Sequence, residues 1–406
     1  MTIGGSFINK RNVFTLSITG LIITAGYQLW DPLLPVFLEE ELRASVTLIG
    51  VIYTLSSIFY MTSAFIGGYL SDRIGKKKII VICDFIATFL SFSLALTSTL
   101  VEFSSLLLLY SLFFGASSSV TRALIAESSS SGKRGMAFSN FLFLSLIGQI
   151  AGPAVGGSLA KRLGFTILFA LSSLTFFIGT LLRFIFLRDV KISLSNDDFS
   201  EETTTQEDSS GSRGKEAHYF QNGLSRPLLV YMGCLAMFGF ADDMVDTFIS
   251  LYSKSVLSMS IEEVGFLFSA RHLAMLLFVL PSGALTDKVG EKKCIVVSWI
   301  LSPIVLLAFA FSKGGILSFV TYFLDGVAWA IRQPAMPSLL AKLSPPRKYG
   351  TTFGFSYLIR VGVGVPSPML GGLMWETIGP LSLFYNYLLI MVLAALMVHL
   401  FIPQKK

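Results

Sequence analysis

Charge is what this sequence has least of: Asp, Glu, Lys and Arg together make up 14% of its 406 residues. Soluble domains carry nearer about 25%. With 53% hydrophobic residues and a mean hydropathy of +0.71, the chain reads as mostly membrane-embedded. Cysteine is scarce too. Cys83, Cys234 and Cys294 all fall in apolar runs, with no CxxC or Cys/His cluster, so neither disulfides nor a metal site are expected. Enzyme signatures are missing: no HExxH or GxSxG occurs, and no enzymatic activity is expected. A phosphate loop needs GxxxxGKS/T, but Gly75-Lys76 is followed by Lys77 and Leu70 stands where the first glycine belongs, which disfavours ATP-driven transport. Lys10 and Arg11 lead straight into an apolar run with no small-residue cleavage site after it, unlike a cleaved signal peptide.

What is present is a series of long apolar runs. A helix needs about 20 largely apolar residues to cross roughly 30 Å of hydrocarbon. Twelve stretches qualify: 12–38, 46–70, 77–99, 102–127, 134–160, 164–187, 227–252, 260–284, 292–312, 315–341, 347–374 and 380–402. Backbone polar groups in lipid must be satisfied internally, so these spans are helices and the fold class is an all-α polytopic membrane protein. Sixteen lysines and arginines of the short loops and termini fall on one side. Only Arg43, Lys161, Arg162, Lys254 and Lys313 fall on the other. The bias predicts both termini on the cytoplasmic side. It also explains the net charge of +6 by anionic lipid headgroups, leaving no nucleic-acid partner to expect.

Residues 188–226, including "SNDDFSEETTTQEDSSGSRGKE", are polar and without hydrophobic periodicity, and predict a flexible cytoplasmic linker. It separates a six-helix bundle at 1–187 from another at 227–406. The two repeat each other at a constant offset of 215. Asp31 and Asp246, Gly68 and Gly283, Asp72 and Asp287, Gly75 and Gly290, Lys77 and Lys292, Gly135 and Gly350, Pro153 and Pro368, Gly156-Gly157 and Gly371-Gly372, and Gly164 and Gly379 all obey it. Membrane folds built from such repeats place their sites at the repeat interface near the midplane, and two halves on a linker suit alternating access better than a channel.

"GYLSDRIGKKK", Gly68 to Lys78, resembles the loop between spans 2 and 3 of the major facilitator superfamily, and Ser282–Lys293 resembles its weaker copy between spans 8 and 9, with Lys288 and Glu291 departing from the pattern. "GQIAGPAVGG", with Gly148, Gly152, Pro153, Gly156 and Gly157, resembles the span 5 signature of that superfamily's drug/proton antiporters. The resemblance covers essentially the whole chain and implies two pseudo-symmetric six-helix bundles around a cavity. Many such exporters carry an arginine early in span 4. Here Ser111 occupies that region and Arg122 comes later.

Gly68, Gly75, Gly283 and Gly290 allow tight turns and close helix approach. Asp72 is expected to meet a neighbouring helix N-terminus, and Arg73 to pair with Glu127 at the end of span 4. Lys76 and Lys77, with Lys78, would set topology, and Asp287 would act in the second copy. Such a cluster can latch the halves in one conformation and release them in the other; a plain topological anchor is the alternative. In span 5 the glycines line one side and Pro153 bends the helix, which reads as close packing or as a bend that biases opening.

Charges inside spans are costly and are therefore site candidates. Asp242 and Asp246 lie i,i+4 on one face of span 7 with Asp243 turned away, and their mutual repulsion favours a proton held on at least one of them near neutral pH. Asp31 holds the equivalent place in span 1; capping of broken helices is the alternative for Asp31 and Asp246. Arg271 and His272 in span 8, Asp325 and Arg332 in span 10 and Arg360 in span 11 complete the set, and Arg122 joins it through the resemblance. Ion pairs of Asp242 with Arg271 or Arg360 and packing by His272 are the structural alternatives, and Asp84 in span 3 has no evident role. The expectation is a monomeric, plasma-membrane secondary transporter. It would export small, lipophilic or drug-like molecules by alternating access, driven by the proton gradient and without a cofactor. A symporter importing a polar or anionic metabolite, or a non-transporting sensor on the same fold, are the alternatives.

Overall fold

The long apolar runs fold into helices whose ends are written in the local sequence. Ser45 caps α3 (Val46–Ile74) by accepting from the Leu48 N–H, Thr99 caps α5 (Leu100–Glu127) through Glu102, and Ser260 and Glu263 form a reciprocal capping box at the start of α10 (Ile261–Val289). Gly75 and Gly290 end α3 and α10 at φ of 102° and 93°, a conformation open to glycine. The chain turns there and re-enters a helix at once, as α4 (Lys76–Leu94) and α11 (Glu291–Ala310). The remaining elements are α1 (Ile3–Tyr27), α2 (Leu34–Glu40), α6 (Arg134–Leu163), α7 (Thr166–Phe186), α8 (Arg226–Asp246), α9 (Ile249–Ser255), α12 (Ile316–Leu343), α13 (Tyr349–Gly364), α14 (Ser367–Thr377) and α15 (Leu381–Phe401). The computed structural model describes residues 3–129, 134–189, 225–345 and 349–403.

The chain is all-α among the described residues, and nine of its helical stretches there are long and apolar enough to cross a membrane unaided. Three expected spans are not continuous. Span 1 breaks between α1 and α2 at Gln28–Leu33, where Asp31-Pro32 form a 3-10 turn and Pro32 and Pro35 remove backbone donors. Span 11 breaks between α13 and α14 at Val365-Pro366 for the same reason. Span 7 breaks between α8 and α9 at Thr247-Phe248 without a proline, where the Phe248 N–H reaches back to Val245 O at 3.0 Å in a tightened last turn. Two of the three breaks therefore fall at Asp31 and Asp246, the equivalent aspartates of the repeat.

α1 to α7 pack chiefly on one another, as do α8 to α15. The groups meet along two seams, α6 on α10 and α3 on α14. Asp84, which had no assigned role, is the centre of a buried polar knot in the first group. Arg183 Nη1 binds Asp84 Oδ2 at 2.7 Å, Arg183 Nε donates to Thr19 Oγ1 at 3.0 Å, and Ser117 donates to Asp84 Oδ1. One ion pair thus ties α1, α4, α5 and α7. The start of the expected linker is docked rather than loose. Asn12 exchanges hydrogen bonds with the Arg188 backbone at 2.9 and 3.1 Å, and Asp189 accepts from the Lys77 N–H at 2.8 Å. Residues 190–224, the body of that linker, lie outside the described residues, as do Lys133, Arg347, Lys348, Lys405 and Lys406.

Candidate functional site

The glycines of the two seams shut one face of the molecule. Any Cβ on Gly265 would stand 2.2 Å from the Pro153 carbonyl oxygen, and any Cβ on Gly50 2.2 Å from the Pro368 carbonyl oxygen. These two contacts obey the offset of 215, and so do the glycine pairs. Gly156 packs on Leu29 of its own group while Gly157 meets Ile261 and Gly265 across the seam. Gly371 packs on Met244 and Phe248 while Gly372 meets Val46 and Thr47 across the other. Gly148 and Gly152 lie against the α1 backbone at Leu21 and Ala25. The span 5 glycines thus pack closely on neighbouring helices, and α6 runs unbroken through Pro153. Polar ties lock the same face. Lys161 and Ser158 hold Glu262 at 2.6 and 3.2 Å, Thr47 holds Glu376 through Oγ1 and N at 2.6 and 3.0 Å, and Lys254 stands 3.6 Å from Glu40. Lys161 and Glu376, and Glu262 and Thr47, are again repeat equivalents, but their unlike side chains conceal it from sequence comparison.

On the opposite face, which carries the basic loops, Gly68, Gly135, Gly283 and Gly290 have open space around them. Among the described residues no hydrogen bond or ion pair joins the two groups there. The seam is closed on one face and parted on the other.

Between the seams lie two contiguous cavities of about 300 and 250 Å³ that share Asp31, Tyr53, Ser57 and Val361. The first is polar and sits at the three helix breaks, lined by Gln28, Asp31, Asp243, Asp246, Arg271, His272 and Pro368 among others. The second is aromatic, walled by Tyr27, Trp30, Tyr53, Tyr60, Tyr110, Phe114 and Tyr357. Trp30 is fixed by its Nε1–H to Ser172 Oγ at 3.1 Å, and Tyr27, Tyr110 and Phe114 stack on one another.

The helical phase of span 7 departs from expectation. Asp243 and Asp246 line the cavity, while Asp242 turns behind α8 to Arg332 Nη2 at 3.3 Å. Asp242 therefore pairs with neither Arg271 nor Arg360. Arg271 is held by Asp325 at 2.8 Å and reaches the cavity-lining Asp246 at 3.3 Å. Asp325 and Arg332 are both 1% exposed and lie outside the cavity wall. Arg332 and Arg360 place their guanidiniums 4.8 and 5.1 Å from the Phe238 ring. His272 lines the cavity, with its Nδ1 2.9 Å from Phe268 O. Arg122 does not line either cavity. It binds Ser118 Oγ at 2.9 Å and the Tyr60 hydroxyl at 3.3 Å, one side chain away from the aromatic wall.

The basic loop also rearranges the expected pairing. Lys76, not Arg73, binds Glu127, at 2.8 Å, and Lys76 also takes Asp72 at 3.0 Å, so Asp72 serves its own loop rather than a neighbouring helix N-terminus. Arg73, in the last turn of α3, lies over Tyr69 one turn back, 4.6 Å from the ring centre. In the second copy the charges are reversed. Glu291, the equivalent of Lys76, binds Lys342, the equivalent of Glu127, at 2.7 Å, with Ser338 donating at 2.8 Å. The departure at Glu291 is thus compensated. Asp287 has no ion pair among the described residues, and Lys292, the equivalent of Lys77, donates to Ile402 O at 2.6 Å. Lys76→Glu should cost about 2 kcal/mol by setting three carboxylates together, and Glu127→Lys in the same chain should restore the loss. Thermal unfolding of the purified single and double variants checks both.

A family model described as the Major Facilitator Superfamily matches residues 16–262 and 231–406. Among curated proteins, the chain is 23% identical over 370 residues to a multi-drug resistance efflux pump PmrA homolog of Lactococcus lactis subsp. lactis, spanning 89% of this chain and 87% of that one. It is 24% identical over 395 residues to the multidrug resistance protein MdtG of Salmonella schwarzengrund, spanning 93% and 92%. Among solved structures, a D-xylose-proton symporter superposes with a TM-score of 0.75 at 16% identity over 98% of both chains. The nucleoside transporter NupG superposes with 0.74 at 15% identity over 97% of this chain and 100% of that one. Paired bundles, broken spans at a shared polar cavity and a seam shut on one face agree with these matches: the chain belongs to the major facilitator superfamily and is a multi-pass membrane transporter.

Proposed function

We propose that this transporter exports small lipophilic molecules in exchange for protons, with the basic face and both termini in the cytoplasm and the protein in the plasma membrane. The observation that carries this reading is the composition of the cavity, where an aromatic wall faces the carboxylates of Asp31, Asp243 and Asp246. An apolar body stacks on the first wall, and either a proton or a cationic group on the cargo neutralises the second. Competition between those two is what exchange requires. The names of the efflux-pump relatives point the same way. An anionic cargo is less well served, because Arg271 and Arg332 are already bound by carboxylates. Residues 1–187 and 227–406 are the rocking units in this reading, with 188–226 as their tether.

Proteoliposomes test it. Substrate and proton fluxes should run in opposite directions across the membrane; parallel fluxes mean import, and a chain that senses without transporting moves neither. Asp246→Asn should leave substrate exchange running while lowering its dependence on the proton gradient about tenfold. Unchanged gradient dependence in that variant removes Asp246 from the coupling set.

A further inference from the structure

Spans 2 and 8 carry the same short pattern, a glycine followed four residues later by a hydroxyl: Gly50 and Thr54, Gly265 and Ser269. Both pairs obey the offset of 215, and residues four apart share a helix face. The glycine admits the facing backbone, and the hydroxyl one turn on reaches across the seam to bond it. Ser269 Oγ of α10 donates to Ile150 O of α6 at 2.7 Å. The Met369 N–H of α14 donates to Thr54 Oγ1 of α3 at 3.2 Å.

The two bonds run in opposite directions, and the facing helices dictate which. α6 passes its seam without a break, so its backbone offers carbonyls alone. Span 11 breaks at Val365-Pro366, and Met369 lies in the first turn of α14, where N–H groups have no partner in their own helix. A hydroxyl both donates and accepts, so the same kind of side chain serves either backbone. Parting of the seams treats the two differently. Ser269 also stands 3.1 Å from Gly265 O, and falls back on its own helix. Thr54 and the Met369 N–H have no second partner among the described residues.

Thr54 and Ser269 are 9% and 8% exposed, so water does not compete for these bonds while the seams are shut. The Lys161–Glu262 pair on the α6–α10 seam is different, because the Lys161 side chain is 54% exposed. Ion pairs so placed contribute little, being screened by solvent.

We propose that Thr54 and Ser269 are positioning residues of the transport cycle, two hydroxyl clasps that hold the seams shut and set the balance between the two open faces. Each bond exists in the shut form alone, so its net worth goes into that balance. The clasps rest on the rocking of the two halves proposed above, and on neither the direction of transport nor the coupling ion.

Labelling of a cysteine introduced at Thr247, in the cavity wall, tests the clasps in the full chain. A membrane-impermeant maleimide is applied from the face of Arg43, Lys161 and Lys254. Loss of one neutral hydrogen bond shifts an equilibrium about fivefold, and Ser269→Ala should speed labelling by that factor. Thr54→Val should speed it about tenfold, because the Met369 N–H then loses its partner as well. The two changes lie on separate seams and should multiply. Thr54→Ser keeps the hydroxyl and should label like the Thr247→Cys parent. Lys161→Gln should change the rate less than about twofold. A lowered melting temperature with unaltered labelling in Ser269→Ala, Thr54→Val and their combination is the signature of packing alone, and overturns the proposal. Either seam suffices for this test where a variant at the other does not fold. A larger effect of Lys161→Gln than of Ser269→Ala also overturns it, by giving the clasp to the ion pair. Parallel substrate and proton fluxes in proteoliposomes would sink the export reading and leave the clasps standing.

Discussion

Arg183→Ala should remove most of the folded protein from the membrane fraction. Asp84 is 2% exposed and Arg183 4%, and their 2.7 Å pair joins four helices through Thr19 and Ser117. Deleting one partner of a buried pair leaves the other charge without compensation, at a cost of about 3–5 kcal/mol. That is a large share of the roughly 5–15 kcal/mol that holds a protein folded. Replacing both partners by leucine removes the stranded charge with the pair, and should recover most of the loss. Yield and melting temperature of the purified variants report the effect. An Arg183→Ala protein as stable as the wild type would mean that Ser117 alone satisfies Asp84.

Gly265→Val should stall transport without unfolding the chain. A valine Cβ at that place meets the Pro153 carbonyl oxygen at 2.2 Å and Gly157 Cα at 3.0 Å, both backbone atoms that no rotamer change can move. Overpacking at such a contact costs about 3 kcal/mol. At about 1.4 kcal/mol per factor of ten, the conformation shut on that face becomes roughly a hundredfold rarer. The cavity then spends its time open to the face that carries Arg43, Lys161 and Lys254. A cysteine introduced at Thr247, in the cavity wall, should react with a membrane-impermeant reagent from that face far faster than in the Gly265 parent. The native Cys83, Cys234 and Cys294 are buried. Gly50→Val, across the other seam, should have the same effect because its Cβ meets Pro368 in the same way. Unaltered labelling in both variants would show that the seams can separate and reseal around the added side chain.

These two sites also mark where sequence reasoning reached and where it stopped. The offset of 215 exposed Gly156-Gly157, Gly371-Gly372 and the paired aspartates, because equivalent places in a duplicated fold with the same backbone duty keep the same residue, whereas Gly50 and Gly265 obey the offset and were passed over. Turn glycines at 75 and 290 were legible for a similar reason, since each removes a steric limit locally. Partner choice was not legible. Asp84 and Arg183 are 99 residues apart in the chain, and nothing local links them. Lys76 rather than Arg73 reaches Glu127 because the chain turns at Gly75 and starts a new helix at Lys76, while Arg73 stays on the last turn of α3 over Tyr69. A one-residue error of helical phase exchanged Asp242 and Asp243.

The surplus of carboxylates over guanidiniums around the cavity has an electrical consequence. Charge that shifts along the membrane normal as the halves rock does work against the transmembrane voltage, about 2.3 kcal/mol per elementary charge for a full crossing at 100 mV. A cell interior that is negative repels an empty, anionic cavity outward, and it holds back the cavity less once a cation or proton has neutralised it. Resting potential would thereby drive the outward stroke of the ionised carrier and leave the proton-neutralised inward stroke unopposed, so that polarised vesicles should turn over faster than depolarised ones even at equal pH on both sides.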